Sequence, residues 1–266
     1  MADAEARPDF AAVDAGDAGD LVSMMDATDA WPAVQVLRAW VLDHADAGDK
    51  VVLDVGSGPG TFGGVATATG AWAIDLDRSF TMLREAQHRR ADARPVLGDA
   101  AHLPLRDGAA HLVRAERVLQ WATDPRAALA DLRRVTTRGG WTAVTDTDWG
   151  SFTVQHPDER APDRWAAAAL GWVPHPRVAQ ELAHALIELG ASDVSSRTDT
   201  VVISAWDPDD PTQHDGPPGL PLRSIAAGGA VADQPALAED LDVLADRARH
   251  GQFRASLDLV TVLARR

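Results

Sequence analysis

A short glycine-rich turn holds the residues best suited to ligand-binding chemistry. It follows the apolar run VVLDV, and three glycines occupy alternate positions along it. Glycine has no Cβ, so its backbone can approach a ligand closely. A predicted helix follows, and its free N–H groups favour an anionic or polar ligand group. The turn can equally be an ordinary tight connection, because its spacing differs from the dinucleotide-binding pattern G-x-G-x-x-G. The segment reads Asp54, Val55, Gly56, Ser57, Gly58, Pro59, Gly60.

Two further acidic residues follow predicted strands. Asp75 lies at the end of the second strand, where a carboxylate can accept both hydroxyls of a ribose. Asp99 follows the third strand, in Gly98-Asp99-Ala100. Its carboxylate can accept from an adenine amino group, and the Ala100 N–H can donate to the ring. A solvated strand-end acid and an Asx turn are the structural alternatives. The three sites together are more specific, because open α/β sheets bind ligands at the carboxyl ends of their strands.

Alternating strands and helices must position these residues. From Val51 to Trp149 the pattern predicts a Rossmann-like α/β fold: a seven-stranded, mostly parallel sheet with helices on both faces. Two late strands flank a proline-rich loop and predict an antiparallel addition at the sheet edge. The predicted strands are 51–55, 71–76, 93–100, 111–116, 141–149, 194–206 and 253–264, and the helices include 61–69, 79–91, 124–136 and 237–251.

One domain accounts for nearly the whole chain. Residues 1–20 are rich in Ala, Asp and Gly and are predicted to be a disordered tail. Residues 21–266 form a single domain with three kinds of segment. These are an N-terminal helical lid at 21–49, a ligand-binding core at 50–150, and substrate-cover helices and loops at 151–190 and 207–251.

The amino-acid composition argues against several classes of function. The 266 residues carry a formal net charge of −15, which makes nucleic acid a poor partner. The absence of cysteine excludes disulfides and thiolate metal sites, and no cluster of metal ligands is predicted. No stretch is long and apolar enough to span a membrane, and the N-terminus lacks the features of a signal peptide. We therefore expect a cytoplasmic protein with a small-molecule substrate, either a monomer or a homodimer.

Four motifs resemble the class I S-adenosylmethionine-dependent methyltransferases, in particular the small-molecule branch of the UbiE or methyltransferase-11 type. VVLDVGSGPG resembles that family's VLDVGCGTG loop, with Ser57 at the usual cysteine. AIDLDRSFTML, GDAAHLPLRDGAAHLVRAERVLQW and DPRAALADLRRVTTRGG resemble its second strand, its third and fourth strands, and its fifth helix. The resemblance covers residues 50–150 closely and the remainder weakly. It implies S-adenosyl-L-methionine as cofactor and S-adenosyl-L-homocysteine as product.

The family's binding roles transfer to matching positions. The resemblance implies that the three glycines of the turn face the methionine moiety, and that Asp54 holds the turn and the ammonium group. Asp75 would bind the ribose hydroxyls, Leu76 would pack on adenine, and Glu116 would lie beside the methionine end. The implied cofactor-binding residues are Asp54, Gly56, Ser57, Gly58, Gly60, Asp75, Leu76, Asp99, Ala100 and Glu116.

Catalysis of methyl transfer demands no fixed residue, because alignment of the nucleophile with the methyl group can supply most of the acceleration. A general base is needed only if the acceptor must lose a proton. Asp148, His156 and His175 are the candidate bases, and each can equally be a structural or surface residue. Trp31, Trp121 and Trp149 are candidate walls of an acceptor pocket for an apolar or aromatic molecule, and ordinary core packing is the alternative.

These features predict methyl transfer to a small, apolar or aromatic natural-product acceptor, in bacterial secondary metabolism. The alternative is a pericyclase-like cyclase of the same fold that binds the cofactor without transferring its methyl group. A non-catalytic binding module ranks last, because the cofactor turn is intact. Hydride transfer also fits poorly, because it would leave the Gly98-Asp99-Ala100 motif unexplained.

Overall fold

The computed structural model describes residue 14, residues 19–228 and residues 234–266. Within these residues seven strands form one sheet: β1 (Val51–Val55), β2 (Trp72–Asp77), β3 (Pro95–Leu97), β4 (Ala110–Glu116), β5 (Thr136–Val154), β6 (Ser192–Ile203) and β7 (Ala255–Arg265). Their order is β3-β2-β1-β4-β5-β7-β6. The first five strands pair in parallel, whereas β7 runs antiparallel to both β5 and β6. The predicted Rossmann-like fold is confirmed.

Helices lie on both faces of this sheet. They are α1 (Gly19–Asp29), α2 (Pro32–His44), α3 (Thr61–Ala68), α4 (Phe80–Arg89), α5 (Pro125–Val135), α6 (Ala161–Trp172), α7 (Val178–Glu188), α8 (Leu222–Gly228) and α9 (Gln234–Arg249). Local sequence explains several of their starts. Asp124 accepts from the N–H groups of Arg126 and Ala127 at the start of α5, and Ser79 accepts from Met82 N–H at the start of α4. No helix in the described ranges is long and apolar enough to cross a membrane.

Successive side chains along a strand point to opposite faces of the sheet, and this alternation divides the apolar core into separate clusters. Val52 packs with Leu42 and Phe62 on the face covered by α2 and α3. Its neighbour Leu53 packs with Leu132 on the opposite face, under α5 and α7. A third apolar cluster joins α6, α8 and α9 to the far part of the sheet. This cluster therefore attaches α6, α8 and α9 to the sheet that carries the glycine turn.

Several element boundaries differ from the sequence prediction, and the strand expected at 93–100 is shortened to β3. The strand expected at 141–149 is part of a longer strand, because pairing with β7 extends β5 beyond Trp149. The helical region expected at 157–190 is two helices, interrupted around Pro174 and Pro176. Helix α8 was not predicted. Of the predicted tail 1–20, residues 1–13 and 15–18 lie outside the described residues, and Gly19 and Asp20 already belong to α1.

Candidate active site

An open cavity lies where the carboxyl ends of β1, β2 and β4 meet α1 and α2. Its floor is the turn from Val55 to Pro59, and its far wall is formed by α6 and residues 219–221. It thus takes lining residues from the predicted lid, core and cover segments. Whether the lid and cover segments move stays a prediction.

The glycine turn is shaped by backbone conformations that favour glycine. Gly56 and Gly58 have φ of +70° and +52°, and both line the cavity. A Cβ at Gly56 would overlap the side chain of Val118, and one at Gly58 would lie 3.1 Å from the Met25 sulfur. The turn is fastened to β2, because the Gly56 N–H donates to the Leu76 carbonyl over 2.7 Å. Its backbone is therefore both exposed to a ligand and fixed.

Gly60 has a different role from the other two glycines. It does not line the cavity, although its φ is +80°. It precedes α3, and a Cβ there would lie 2.7 Å from the Ala86 Cβ. Gly60 therefore permits close packing against α4, and its contact with the cofactor stays a prediction.

Asp77, rather than Asp75, presents its carboxylate to the cavity. Asp77 Oδ2 accepts from the Gly58 N–H over 2.8 Å, and Oδ1 accepts from the Ser79 N–H over 2.9 Å. Burial raises the pKa of Asp77 against these hydrogen bonds. The signal for this residue was present in the sequence, because Asp77 is the last acidic residue before the helix-capping Ser79.

Asp75 is instead a buried structural residue. Its side chain has no exposure, and Oδ2 pairs with Arg90. Its Oδ1 fills space that Gly63 leaves open, since a Cβ on that glycine would overlap it. Burial raises the pKa of Asp75, and Arg90 opposes this rise. The structure therefore buries the Asp75 carboxylate away from the cavity lining, and its contact with a ribose stays a prediction.

The other predicted binding residues from β2 and from the segment after β3 do line the cavity. Leu76, Asp99 and Ala100 lie at one end of it. Asp99 is exposed and accepts from the Ala101 N–H over 2.8 Å, as an Asx turn requires. The two interpretations of Asp99 are therefore compatible, since the turn leaves the residue at the cavity wall.

A buried network of three carboxylates and three guanidiniums forms the opposite end of this cavity. Arg38 donates to Glu116 over 2.7 Å and to Asp29 over 2.6 Å. Arg114 donates to Asp54 over 2.5 Å and also pairs with Glu116. Its guanidinium lies 3.8 Å above the Phe62 ring. We call this set the arginine–carboxylate cluster, and its members are Asp29, Arg38, Asp54, Arg114, Glu116 and Arg117.

The cluster sets the charge state of its acids. Burial alone would raise the pKa of Glu116, but the guanidiniums of Arg114, Arg38 and Arg117 hold it well below its ordinary value. Burial raises the pKa of Asp54 to about 6, although Arg114 opposes this. Sequence analysis identified Asp54 and Glu116 but missed Asp29 and the arginines. Arg38 comes from α2, which approaches β4 only in the folded chain. Arg114 and Arg117 adjoin Glu116 in the sequence, so a signal for them was present.

Tryptophans enclose the remaining side of the cavity. Trp31, Trp121 and Trp149 all line it, as predicted, and Trp172 joins them. The Trp172 ring meets Trp121 and Trp149 edge-on, with centroid distances of 5.4 and 5.0 Å. The Trp149 Nε1 donates to Gln120 Oε1 over 2.7 Å. We call the space between these rings the tryptophan chamber, defined by Trp31, Trp121, Trp149 and Trp172.

None of the three predicted bases lines the cavity. Asp148 accepts from the Gln180 amide on the other face of β5 from Thr147 and Trp149, which do line it. The side chain of His156 is buried 3.7 Å from Asp240. Strand alternation and helix packing direct both side chains away from the cavity, and their catalytic roles stay predictions.

His175 supports the cavity from outside. Its Nε2 lies 2.9 Å from the carbonyl oxygen of Ala122, a residue of the lining. Its N–H donates to the Gln120 carbonyl over 3.1 Å. His175 thus holds the segment that carries Trp121, and its role as a base stays a prediction.

Comparison with known proteins agrees with this geometry. Residues 53–144 match the methyltransferase domain family. The chain is 37% identical over 146 residues to an uncharacterized 37.1 kDa protein in transposon TN4556 of Streptomyces fradiae, covering 52% of this chain and 42% of that protein. It is 38% identical over 112 residues to malonyl-[acyl-carrier protein] O-methyltransferase of Pseudescherichia vulneris, covering 42% and 45%. Each match thus spans less than half of the relative's length.

A solved structure extends the likeness to the whole fold. An S-adenosylmethionine-dependent methyltransferase from Mesorhizobium loti superposes with a TM-score of 0.56 at 20% identity, covering 90% of this chain and 99% of that one. The protein therefore has the class I S-adenosylmethionine-dependent methyltransferase fold, and its residues 53–144 are similar to the methyltransferase domain family. S-adenosylmethionine is the cofactor of this class.

Proposed function

We propose that this protein transfers the methyl group of S-adenosylmethionine to a small acceptor with an apolar or aromatic body. One observation carries the proposal. A single cavity runs from the glycine turn and Asp77, past the arginine–carboxylate cluster, into the tryptophan chamber. Such a cavity places a cofactor and an acceptor end to end, as an in-line displacement requires.

The adenosine half of the cofactor fits the end formed by β2 and the segment after β3. Asp77 is an acceptor for the ribose hydroxyls, in the role that the resemblance assigned to Asp75. Leu76 is an apolar surface for the adenine ring, and Asp99 with the Ala100 N–H is a matching acceptor and donor pair.

The methionine half fits the end near the cluster, because that end holds polar atoms without partners. Arg38 Nη1 and Ser57 Oγ are buried and have no hydrogen-bond partner among the described residues. Arg38 is a cation for the carboxylate, and Ser57 is a further donor. The Asp54 carboxylate, which directly precedes the turn, is an acid of this lining that can accept from an ammonium group. Unpaired buried donors are costly, so a ligand that satisfies them gains affinity.

The chain's own residues orient and enclose the reactants. When bound, the cofactor supplies an electrophilic methyl group on a sulfonium. The tryptophan chamber excludes water from the acceptor and offers aromatic faces, which attract a cation. Gly56 and Gly58 allow the backbone to reach the cofactor without a Cβ between them.

The name of the curated relative includes malonyl-[acyl-carrier protein], but the match covers less than half of each chain. The proposed acceptor class therefore rests on the tryptophan chamber and not on that name. Secondary metabolism stays a prediction from the sequence.

Calorimetry followed by mass analysis tests the proposal. We expect S-adenosylmethionine and S-adenosylhomocysteine to bind with micromolar affinity and acceptors to gain one methyl group. Cofactor binding with a product of unchanged mass would favour the cyclase instead. Failure of both ligands to bind to the folded protein would reject both functions.

A further inference from the structure

We propose that Thr147 is a specificity-determining residue of the tryptophan chamber, and that its hydroxyl donates a hydrogen bond to a carbonyl oxygen of the acceptor. The preferred acceptors are therefore aromatic molecules that carry a neutral, ketone-like carbonyl group. This inference rests on the proposed methyl transfer and deepens it, because it names the chemical class of the acceptor. It is carried by one unpaired hydroxyl and by the donors around it.

The Thr147 side chain is buried in the fold and yet borders the cavity. Thr147 is 3% exposed, and it lines the cavity two residues before Trp149 on β5. Strand β4 ends at Glu116, which pairs with Thr145, so Thr147 lies beyond the part of β5 that β4 covers. Thr147 is therefore at the carboxyl end of β5, beside the tryptophan chamber.

The Thr147 hydroxyl makes no hydrogen bond within the part of the chain that the structure describes, in contrast to the hydroxyl of Thr145. Thr145 Oγ1 lies 2.9 Å from Thr261 Oγ1 across the pair of β5 and β7. Thr147 lies opposite Leu259, whose side chain has no hydrogen-bonding atom. A ligand that displaces water from the Thr147 hydroxyl must therefore replace the lost hydrogen bond, and this requirement makes the chamber selective.

The polar side-chain groups near Thr147 supply donors rather than free acceptors. Indole N–H groups are donors only, and that of Trp172 has no partner among the described residues. Gln120 Oε1 is already occupied by the Trp149 Nε1, over 2.7 Å. This contact fixes the orientation of the amide, so Gln120 offers its Nε2, whose hydrogen bond to the Arg117 carbonyl is long at 3.4 Å. A ligand that brings an accepting oxygen therefore complements the chamber.

The carboxylates of the lining do not supply the missing acceptors. Those of the arginine–carboxylate cluster are paired with guanidiniums, and Asp77 and Asp99 lie at the adenosine end. A hydroxyl or amine on the acceptor would bring a further donor into the chamber. A carbonyl oxygen brings no donor, and its two lone pairs can accept from Thr147 and from a second group. The balance of donors and acceptors thus favours a carbonyl.

The role of Thr147 is to hold and orient the acceptor, and no proton needs to leave its hydroxyl. One hydrogen bond at the end of β5 fixes the rotation of a flat molecule between the tryptophan faces. The same edge of the acceptor then faces the cofactor in each binding event, and such alignment contributes to the rate of an in-line displacement.

The test uses the intact protein and two probes of nearly the same shape, acetophenone and α-methylstyrene. The second replaces the ketone oxygen with a CH2 group, which cannot accept from Thr147. Calorimetry measures the Kd of each probe for protein saturated with S-adenosylhomocysteine. Thr147→Val removes the hydroxyl and keeps the branched shape, whereas Thr147→Ser keeps the hydroxyl. Thr145→Val is the matched control, since it makes the same substitution on the same strand, outside the lining.

The measured quantity is the ratio of the α-methylstyrene Kd to the acetophenone Kd. Thr147→Val should lower this ratio by about threefold to tenfold relative to the wild type, which corresponds to the loss of one hydrogen bond. Thr147→Ser and Thr145→Val should keep the wild-type ratio. The different hydrophobicity of the two probes cancels, because it is the same for every variant. Thr147→Ala also lacks the hydroxyl and should show the same fall if the valine variant does not fold.

An unchanged ratio in the variants of Thr147 that lack the hydroxyl would overturn the inference, and so would an equal fall in Thr145→Val. Failure of both probes to bind to the wild-type protein loaded with S-adenosylhomocysteine would also overturn it, because the chamber would then not accept a simple aromatic ketone. Failure of S-adenosylhomocysteine itself to bind to the folded wild-type protein would reject the proposed function instead. The affinity of each variant for S-adenosylhomocysteine verifies that it is folded.

Discussion

The contacts that a single residue makes at this site depend on its position along the strand and on the charges around it. Asp75 and Asp77 belong to the same strand and the same face, yet one meets Arg90 and the other meets the glycine turn. Two residues along a strand correspond to about 6.6 Å, which is enough to move a carboxylate from beneath a helix to a cavity edge. Local composition alone does not distinguish them.

This difference predicts opposite effects for two matched variants. Asp77→Asn should weaken S-adenosylmethionine binding by about 1.5–3 kcal/mol, the usual contribution of a hydrogen bond to a charged group. Asp75→Asn should leave the affinity near the wild-type value but lower the free energy of unfolding by about 3 kcal/mol, because a buried ion pair is broken. Calorimetry and urea unfolding measure the two quantities. The reverse pattern would restore Asp75 as the ribose-binding residue.

Asp146 predicts a dependence of stability on pH. It is fully buried, and burial raises its pKa to about 8 against hydrogen bonds from the Gln120 and Leu119 N–H groups. The folded chain therefore keeps a proton that the unfolded chain releases near the ordinary value of 3.8. Between these values the free energy of unfolding should fall as pH rises, by about 1.4 kcal/mol per pH unit from this group, and level off above about 8.

Replacing Asp146 with asparagine should remove that slope, because the amide carries no titrating proton. Urea unfolding, followed by tryptophan fluorescence at several pH values, measures the effect. Asp148→Asn is the matched control, since it makes the same substitution two residues further along β5, at a half-buried position. Equal slopes for Asp146→Asn and wild type would show that Asp146 is not protonated in the folded state.

At the scale of elements, the cavity depends on connections that bring distant segments together. The turn between β1 and α3 is fastened to β2 by Gly56 and to α4 through Asp77 and Ser79. Helix α2 reaches across to β4 through Arg38 and Glu116. These tertiary contacts supply the rigidity that a cofactor site needs.

The turn provides a matched pair of glycine variants. Gly56 and Gly139 have nearly equal φ, +70° and +74°, but only Gly56 has a neighbour that a Cβ would overlap. Both alanine variants should lose about 1 kcal/mol of unfolding free energy from backbone strain. Gly56→Ala should in addition lower cofactor affinity by more than about tenfold, since 1.4 kcal/mol is a factor of ten. Unchanged affinity in Gly56→Ala would show that this turn does not contact the cofactor.

At the scale of the whole molecule, one cavity gathers residues from nearly the full described length. Met25 and Trp31 come from the N-terminal helical region, Trp172 from α6, and Leu220 from the proline-rich loop. A ligand in the cavity therefore contacts segments that do not pair in the sheet. We therefore expect ligand binding to be coupled to the order of the predicted lid and cover.

Hydrogen exchange measures that coupling. S-adenosylmethionine should slow exchange in residues 19–45 by a factor that grows with cofactor saturation, because only the closed arrangement completes the site. Addition of a bound acceptor should extend the protection to residues 207–228. Asp77→Asn, at the same cofactor concentration, is the control that should lose the protection. Equal exchange in both segments with and without ligands would contradict their role as a cover.

The amino-acid sequence by itself determined the fold class, the glycine turn and the helix caps, because these depend on periodicity and on local backbone chemistry. It also indicated the acidic residues at strand ends and the tryptophans around the chamber. Only the tertiary structure showed that Asp77 rather than Asp75 lines the cavity. It also placed the side chains of Asp148, His156 and His175 outside the cavity and brought Arg38 to Glu116. The physical reason is that these outcomes depend on strand length, on which face each side chain takes, and on helices that approach from distant parts of the chain. Those features are set by packing and pairing, which no local pattern encodes.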